Sequence, residues 1–136
     1  MNNQRLMYAT LSVFVFIFFY EWFFHGTILK GMYEATAPLW RTESDMRQHF
    51  FWLVLGQFLI AVMFCYIFLK GYENKGLLEG MRYGFLMGIF LSVPSFVMHA
   101  VQPFPLEMAF AWIIGGIIEF ILAGMLLSWI YRPEEG

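Results

Sequence analysis

Four apolar stretches dominate the chain, approximately Leu6 to Leu29, Phe50 to Leu69, Leu77 to Val101 and Leu106 to Tyr131. As helices, each is long enough to cross a hydrocarbon layer roughly 30 Å thick. Lipid requires that form, because the bilayer interior cannot satisfy exposed backbone groups, and these continuous runs lack the alternation of a membrane barrel strand. The sequence therefore predicts an all-α, integral membrane four-helix bundle, antiparallel up-down-up-down. It forms a single transmembrane domain over 1–136 with a surface segment at 30–48. Composition agrees: 60% of residues are hydrophobic, 21% aromatic and 13% charged, against roughly 25% charged in a soluble domain. A water-soluble globular protein is excluded on this reading, and little chain remains for an extramembrane domain.

Met1 to Arg5 followed by an apolar run imitates a secretory signal. The run continues past Glu21 through Trp22, Phe23 and Phe24 to Leu29 without a small-x-small cleavage site, so it reads as a retained first span. Eight Lys and Arg against ten Asp and Glu give a net charge of −2, without the basic excess that nucleic-acid binding requires. Cys65 is the only cysteine. It excludes an intramolecular disulfide, thiol-pair redox chemistry and a cysteine-cluster zinc site, and reads as a small packing residue.

The connections differ in kind. Lys70 to Gly76 is a tight polar loop with Gly at both ends, and Gln102-Pro103-Phe104-Pro105 is a shorter turn in which Pro105 suits the first helical turn. Lys30 to Gln48 mixes Tyr33, Leu39 and Trp40 with charged residues and is expected on the membrane surface. Thr42 or Ser44 can cap the helix that follows, with Asp45 in its first turn. Arg5, Lys70, Lys75, Arg82 and Arg132 fall on the side of the termini and middle loop, against Lys30, Arg41 and Arg47 on the other. By the positive-inside rule both termini face the cytoplasm of a bacterial inner (plasma) membrane. Trp22, Trp40, Trp52 and Trp112 then fall at the outer interface, with Tyr66, Tyr72, Tyr83, Trp129 and Tyr131 at the inner one.

Gly80, Gly84, Gly88 and Ser92 recur every four residues, continued by Ser95 and His99. Such a stripe lets another helix approach backbone to backbone, which matters where lipid supplies no hydrophobic drive for pairing. Gly115, Gly116, Ala123 and Gly124 around Glu119 are the expected complement. Pro94 interrupts hydrogen bonding in the third helix, with Ser92 and Ser95 placed to satisfy freed carbonyls, so a kink is expected there.

Ionisable residues inside the spans carry the functional expectations. Glu119 lies near the middle of the last span, where a charged carboxylate costs roughly 2.5 to 3.5 kcal/mol on insertion scales. It must face other helices and be protonated or paired, with Gln57 in the second span as a possible partner. Either it makes one interhelical hydrogen bond, or it handles a proton or cation. His25, His49 and His99 all fall at the outer ends of helices. Glu21 precedes His25 by four residues and Asp45 precedes His49 by four, so each pair shares a helical face, and Glu107 is expected beside His99. Such pairs are also metal half-sites, so His25, His49, His99, Glu21 and Asp45 are candidate ligands for a divalent metal such as zinc. Two of the histidines are candidates for a bis-histidine haem. Phosphate loops, nucleophile elbows and triads have no candidate, and Ser92 and Ser95 near His99 are explained more cheaply by the proline than by a nucleophile and base. No catalytic residue is identified.

Glu21-Trp22, Gly26, Tyr33, Tyr83-Gly84, Gly88, Trp112, Gly115-Gly116 and Glu119 resemble the pattern of small four-helix bacterial inner-membrane proteins of unknown function. That resemblance implies layout and no activity. The chain is also similar in class to the small multidrug-resistance transporters, four-helix proteins with a membrane acid in helix one. Glu21 would be that acid, although nearer the outer end and followed by a longer loop. The first expectation is a non-enzymatic structural or accessory subunit, homo-oligomeric or part of a larger inner-membrane assembly. The second is a small proton- or cation-coupled transporter or channel using Glu119 and the outer His and acid residues. The third is a metal- or haem-binding membrane protein.

Overall fold

A computed structural model describes residues 2–132, and among these the chain is entirely helical. The helices are α1 (Asn3–Phe23), α2 (Lys30–Ala35), α3 (Glu43–Gln48), α4 (Phe50–Lys70), α5 (Leu77–Ser92), α6 (Pro94–Val101) and α7 (Leu106–Ile130). A π-helical turn at Phe24–Ile28 prolongs α1, and a single 3-10 turn at Ala37–Leu39 follows α2. Four stretches are long and apolar enough to cross a membrane: Asn3–Ile28, Phe50–Lys70, Leu77–Val101 and Leu106–Ile130. They lie within a few residues of the four runs read from sequence.

Local chemistry explains most boundaries. The Asn2 side chain caps α1 by accepting from the Arg5 N–H at 3.1 Å. Thr42 accepts from the Asp45 N–H at 3.2 Å, but the helix it caps is the short α3. The long α4 starts separately at Phe50, after His49 leaves the helical conformation. Between α4 and α5 the chain turns through Asn74 and Gly76, both at positive φ (59° and 74°), a conformation that favours these two residue types. Glu79 completes the turn: its buried carboxylate accepts from the Glu73 N–H at 2.6 Å and the Lys75 N–H at 2.7 Å. It stands in the first turn of α5, where the helix dipole favours an acid.

Pro94 ends α5 as expected, and the helix is interrupted at Val93 before α6 resumes. Ser92 has a different role from the expected one. Its hydroxyl donates to the Gly88 carbonyl and lies 3.5 Å from that of Ile113 in α7. It therefore tightens the helix interface rather than filling the gap left by the missing proline N–H.

The closest packing is between α5 and α7. A Cβ added at Gly80 would land on the Gly124 carbonyl and the Ser128 side chain, and one at Gly84 on the Phe120 carbonyl. At Gly88 it would lie 2.8 Å from the Ile117 Cα. From the other side, a Cβ at Gly124 would meet the Gly80 carbonyl, and one at Gly116 would lie 2.9 Å from Ser92 Cβ. Gly115, expected in the same interface, instead faces α1 and accommodates the ring of Phe24. α7 is the most buried of the four long helices. Ala9, Val13 and Ile17 of α1, Ala61, Phe64, Cys65 and Phe68 of α4, and Phe120, Ala123 and Leu127 of α7 share one apolar core. Tyr83 of α5 donates its hydroxyl proton to the Phe64 carbonyl at 2.5 Å.

A second apolar cluster lies at the opposite end from the chain termini. Phe104, Met108 and Ala109 are buried there, covered by Tyr33, Trp40 and Trp112. Trp40 and Trp112 were expected in an interfacial belt; they pack on each other instead, with ring centroids 5.9 Å apart. Trp22, Trp52 and Trp129 remain exposed. At the other end the Asn2 N–H donates to the Tyr131 hydroxyl at 3.2 Å, Arg5 bonds the Arg132 carbonyl, and Tyr72 packs on Tyr131. Both described chain ends thus meet the 71–76 loop, whereas the 30–48 segment and the 102–105 turn meet at the far end.

Substitutions at these glycines discriminate the two kinds of position. Gly84→Ala is expected to destabilise the protein by about 1–3 kcal/mol, because backbone rather than a flexible side chain must move aside. Gly56→Ala, with nothing within 4 Å of the added carbon, is expected to leave stability unchanged or slightly raised. Unfolding in mixed detergent micelles reads both.

Candidate functional site

The far end of α1 and the middle of α7 bring together three ionisable side chains that lie inside the apolar stretches, Glu21, His25 and Glu119. Glu21 of α1 and His25 of the π-helical turn that prolongs it are one turn apart on the same face, and Glu21 Oε2 lies 2.7 Å from His25 Nε2. The π-helical turn contains His25 as its second residue, with the Leu29 N–H donating to the Phe24 carbonyl at 2.9 Å. Wide turns of this kind recur at functional sites because they offset side chains from regular helical positions.

Two aromatic side chains dock α1 on α7. Tyr20 donates its hydroxyl proton to the Gly115 carbonyl at 2.6 Å, and the Phe24 ring fills the space that a side chain at residue 115 would occupy. Gly115 and Glu119 are one turn apart on α7, so this docking brings the Glu21 carboxyl group within reach of that of Glu119. Two ionised carboxylates so close repel, and one proton held by the pair is what would let them hydrogen-bond. Glu119 is 2% exposed and its Oε1 has no hydrogen-bond partner. The side chains of Glu21 and His25 are 30% and 34% exposed. The pair is thus buried at one side and open through Glu21 and His25 at the other.

Beyond His25 the network continues into the connecting segment. His25 Nδ1 lies 2.6 Å from the Tyr33 hydroxyl, and the Trp112 indole N–H donates to the same hydroxyl at 3.0 Å. Glu21, His25, Tyr33 and Trp112 therefore form one hydrogen-bonded series, with Glu119 of α7 beside Glu21.

The residues singled out from sequence separate into three settings. Glu21 and His25 meet as expected, but the partner of Glu119 is Glu21 and not Gln57, whose buried Oε1 also lacks a partner. Asp45 and His49 form their own exposed pair at 3.4 Å, with Arg41 2.8 Å from Asp45, and His49 Nδ1 lies 2.8 Å from the Asp45 carbonyl. His99 Nδ1 lies 2.8 Å from the Phe104 carbonyl, within the aromatic cluster rather than on Glu107. The structure does not gather His25, His49, His99, Glu21 and Asp45 on one ion: among the described residues no group of three or more His, Cys, Asp and Glu is placed to hold a metal. The roles of Tyr20, Tyr33, Trp112 and Gly115 in the site were not read from sequence. Each depends on how α1 and the following segment lie against α7, and no local spacing encodes that.

Burial pushes the Tyr33 phenol from its ordinary value of 10.0 up to about 12; the hydrogen bond from Trp112 opposes this and the Glu21 charge adds to it. A raised folded-state value means that the native protein keeps a proton which the unfolded chain loses. The associated stability is complete below about pH 10 and is lost as pH rises through about 12. Alkaline titration should accordingly show a tyrosinate component near pH 12 that is smaller by one phenol in Tyr33→Phe, and a steeper fall of Tm between pH 10 and 12 in the wild-type protein than in that variant. Comparison with protein-family models, with curated proteins and with solved structures finds no match to this chain.

Proposed function

We propose that the chain is a multi-pass protein of the bacterial inner membrane, an antiparallel up-down-up-down four-helix bundle with both termini in the cytoplasm. In this reading it is a small proton-coupled transporter or channel that moves a proton through Glu119, Glu21 and His25. The membrane assignment is supported by four helices of spanning length, by the meeting of both described chain ends and by the bias of Lys and Arg toward that end. The observation that carries the proton reading is the juxtaposed carboxyl pair Glu119–Glu21, buried on the Glu119 side and linked through Glu21 to a partly exposed histidine 2.7 Å away on the other.

The chemistry balances without a further reactant. The proton between the two carboxyl groups passes from Glu119 to the Glu21 carboxylate as one O–H bond breaks and another forms. In the other direction, a doubly protonated His25 gives its Nε2 proton to Glu21. Glu21 is the exchange point, because it contacts both Glu119 and His25. Intramembrane acids paired in this way are the usual components of proton relays, and a carboxyl pair that shares one proton needs little rearrangement to pass it on.

A second reading, a structural or accessory subunit of a larger assembly or a homo-oligomer, is favoured by one feature. α4 and α5 leave between them an apolar groove lined by Leu59, Met63, Ile67, Met87, Phe90 and Leu91. A strictly monomeric species after native extraction, with no co-purifying protein, would count against it.

The proton reading is tested in proteoliposomes with a pH-sensitive dye inside and an imposed pH gradient. Glu119→Gln is expected to lower proton flux at least about tenfold, and Glu21→Gln to do the same, whereas Glu107→Gln leaves it unchanged. Flux that is indifferent to Glu119→Gln would remove Glu119 from the mechanism.

A further inference from the structure

Both ring nitrogens of His25 are occupied, Nε2 by Glu21 at 2.7 Å and Nδ1 by the Tyr33 hydroxyl at 2.6 Å. The direction of these bonds follows from the third partner of the phenol. The Trp112 indole nitrogen, 3.0 Å from the Tyr33 oxygen, is a donor only. Tyr33 accepts from Trp112 and turns its own proton toward Nδ1. His25 is then neutral, with its proton on Nε2 and donated to Glu21. The polar atoms of His25, Tyr33 and Trp112 are all satisfied in this arrangement.

A second proton on this imidazole has only Nδ1 to bind, and the Tyr33 O–H holds that lone pair. Once Nδ1 carries a hydrogen it faces the phenol as a donor. The Tyr33 oxygen then meets two donors, Trp112 and His25, and its own hydrogen loses its acceptor. The Tyr33 ring itself packs against Trp40 and His25. The titratable groups facing His25 are Glu21 on its own helix and Tyr33 from α2, with Glu119 of α7 and Tyr20 of α1 behind Glu21.

We propose that Tyr33 is a latch that holds the 30–36 segment over the outer opening of the relay while His25 is neutral, and releases it when His25 takes a proton on Nδ1. The proposal rests on the proton-relay reading in one respect: Nδ1 is the atom at which a proton from the outer side enters. The N–H bond forms as hydronium gives up its proton, and the Nε2 proton is then free to pass to Glu21. Trp112 acts as a positioning residue, since its N–H sets Tyr33 as the donor. Trp40, packed on Phe104 and Trp112, holds the far end of the segment, so release frees the part nearest His25.

The test uses the full chain in lipid nanodiscs. Amide hydrogen exchange over 30–36, corrected for the intrinsic pH dependence of exchange, is compared at pH 8 and pH 5, the range in which imidazole side chains gain a proton. Protection in the wild-type protein is expected to fall at least about tenfold on acidification, as expected for a local opening of modest free energy. In Tyr33→Phe, which keeps the ring, protection is expected to be low at both pH values. Side-chain nitrogen NMR, with the His25 signals assigned through His25→Gln, is expected to show the Nε2–H tautomer in the wild-type protein and a mixture of tautomers in Trp112→Phe. Equal wild-type protection at the two pH values, or an Nδ1–H tautomer, would overturn the latch. Should that result accompany a proton flux still abolished by Glu119→Gln, the latch alone fails. A pH-dependent opening together with flux indifferent to Glu119→Gln would sustain the latch and sink the relay.

Discussion

The contact on which the rest of the structure depends is the backbone-to-backbone crossing of α5 and α7. Where the surroundings are as apolar as the helix surfaces, burial of apolar area does not drive helices together, and close packing must do so. Gly80, Gly84 and Gly88 on one side and Gly116 and Gly124 on the other remove the side chains that would hold the two backbones apart. This crossing commits one face of α7 to α5 and leaves a second face for α1. Gly115, only one residue from Gly116, serves that second face by admitting the Phe24 ring. Adjacent glycines thus allow one helix to be approached closely from two directions.

Glu119 belongs to the face that meets α1. An acid placed at mid-helix in an apolar stretch has few ways to be accommodated, and here the accommodation is another acid. Two carboxyl groups at hydrogen-bond distance make sense only with a shared proton. The closeness of Glu21 and Glu119 is therefore what the proposed proton relay is built on. His25 and Tyr33 continue the polar contacts toward the surface, each with a donor or acceptor role that depends on its neighbour. The Asp45–His49 pair has the same sequence spacing but none of this consequence, because it lies exposed on α3 beside Arg41.

Much of the architecture was legible in the sequence. The four apolar runs, the Gly80–Gly84–Gly88 stripe, the interruption at Pro94 and the Glu21–His25 spacing each reflect local periodicity, which a sequence displays directly. The partner of Glu119 was not legible. Residue counts along separate helices do not say how far one helix is shifted along another, and that shift decides whether Glu21 or Gln57 reaches it. Trp40 and Trp112 illustrate the same limit. Aromatic residues near helix ends suit an interfacial belt, yet the fold of the 30–48 segment turns both of them onto Phe104. The role of Glu79 was hidden for another reason: a carboxylate in a first helical turn looks like ordinary surface charge until the preceding loop is seen to fold back over it.

The wide turn at Phe24–Ile28 contains one residue more than a regular helical turn would. Everything after it is advanced by one position and rotated by about 100° compared with an uninterrupted helix. Tyr33 and the strand of contacts behind it are therefore aligned with His25 by an insertion, and the spacing between residues 25 and 33 matters as much as their identities. A chain with every one of these side chains but one residue fewer in between would present the phenol to a different neighbour.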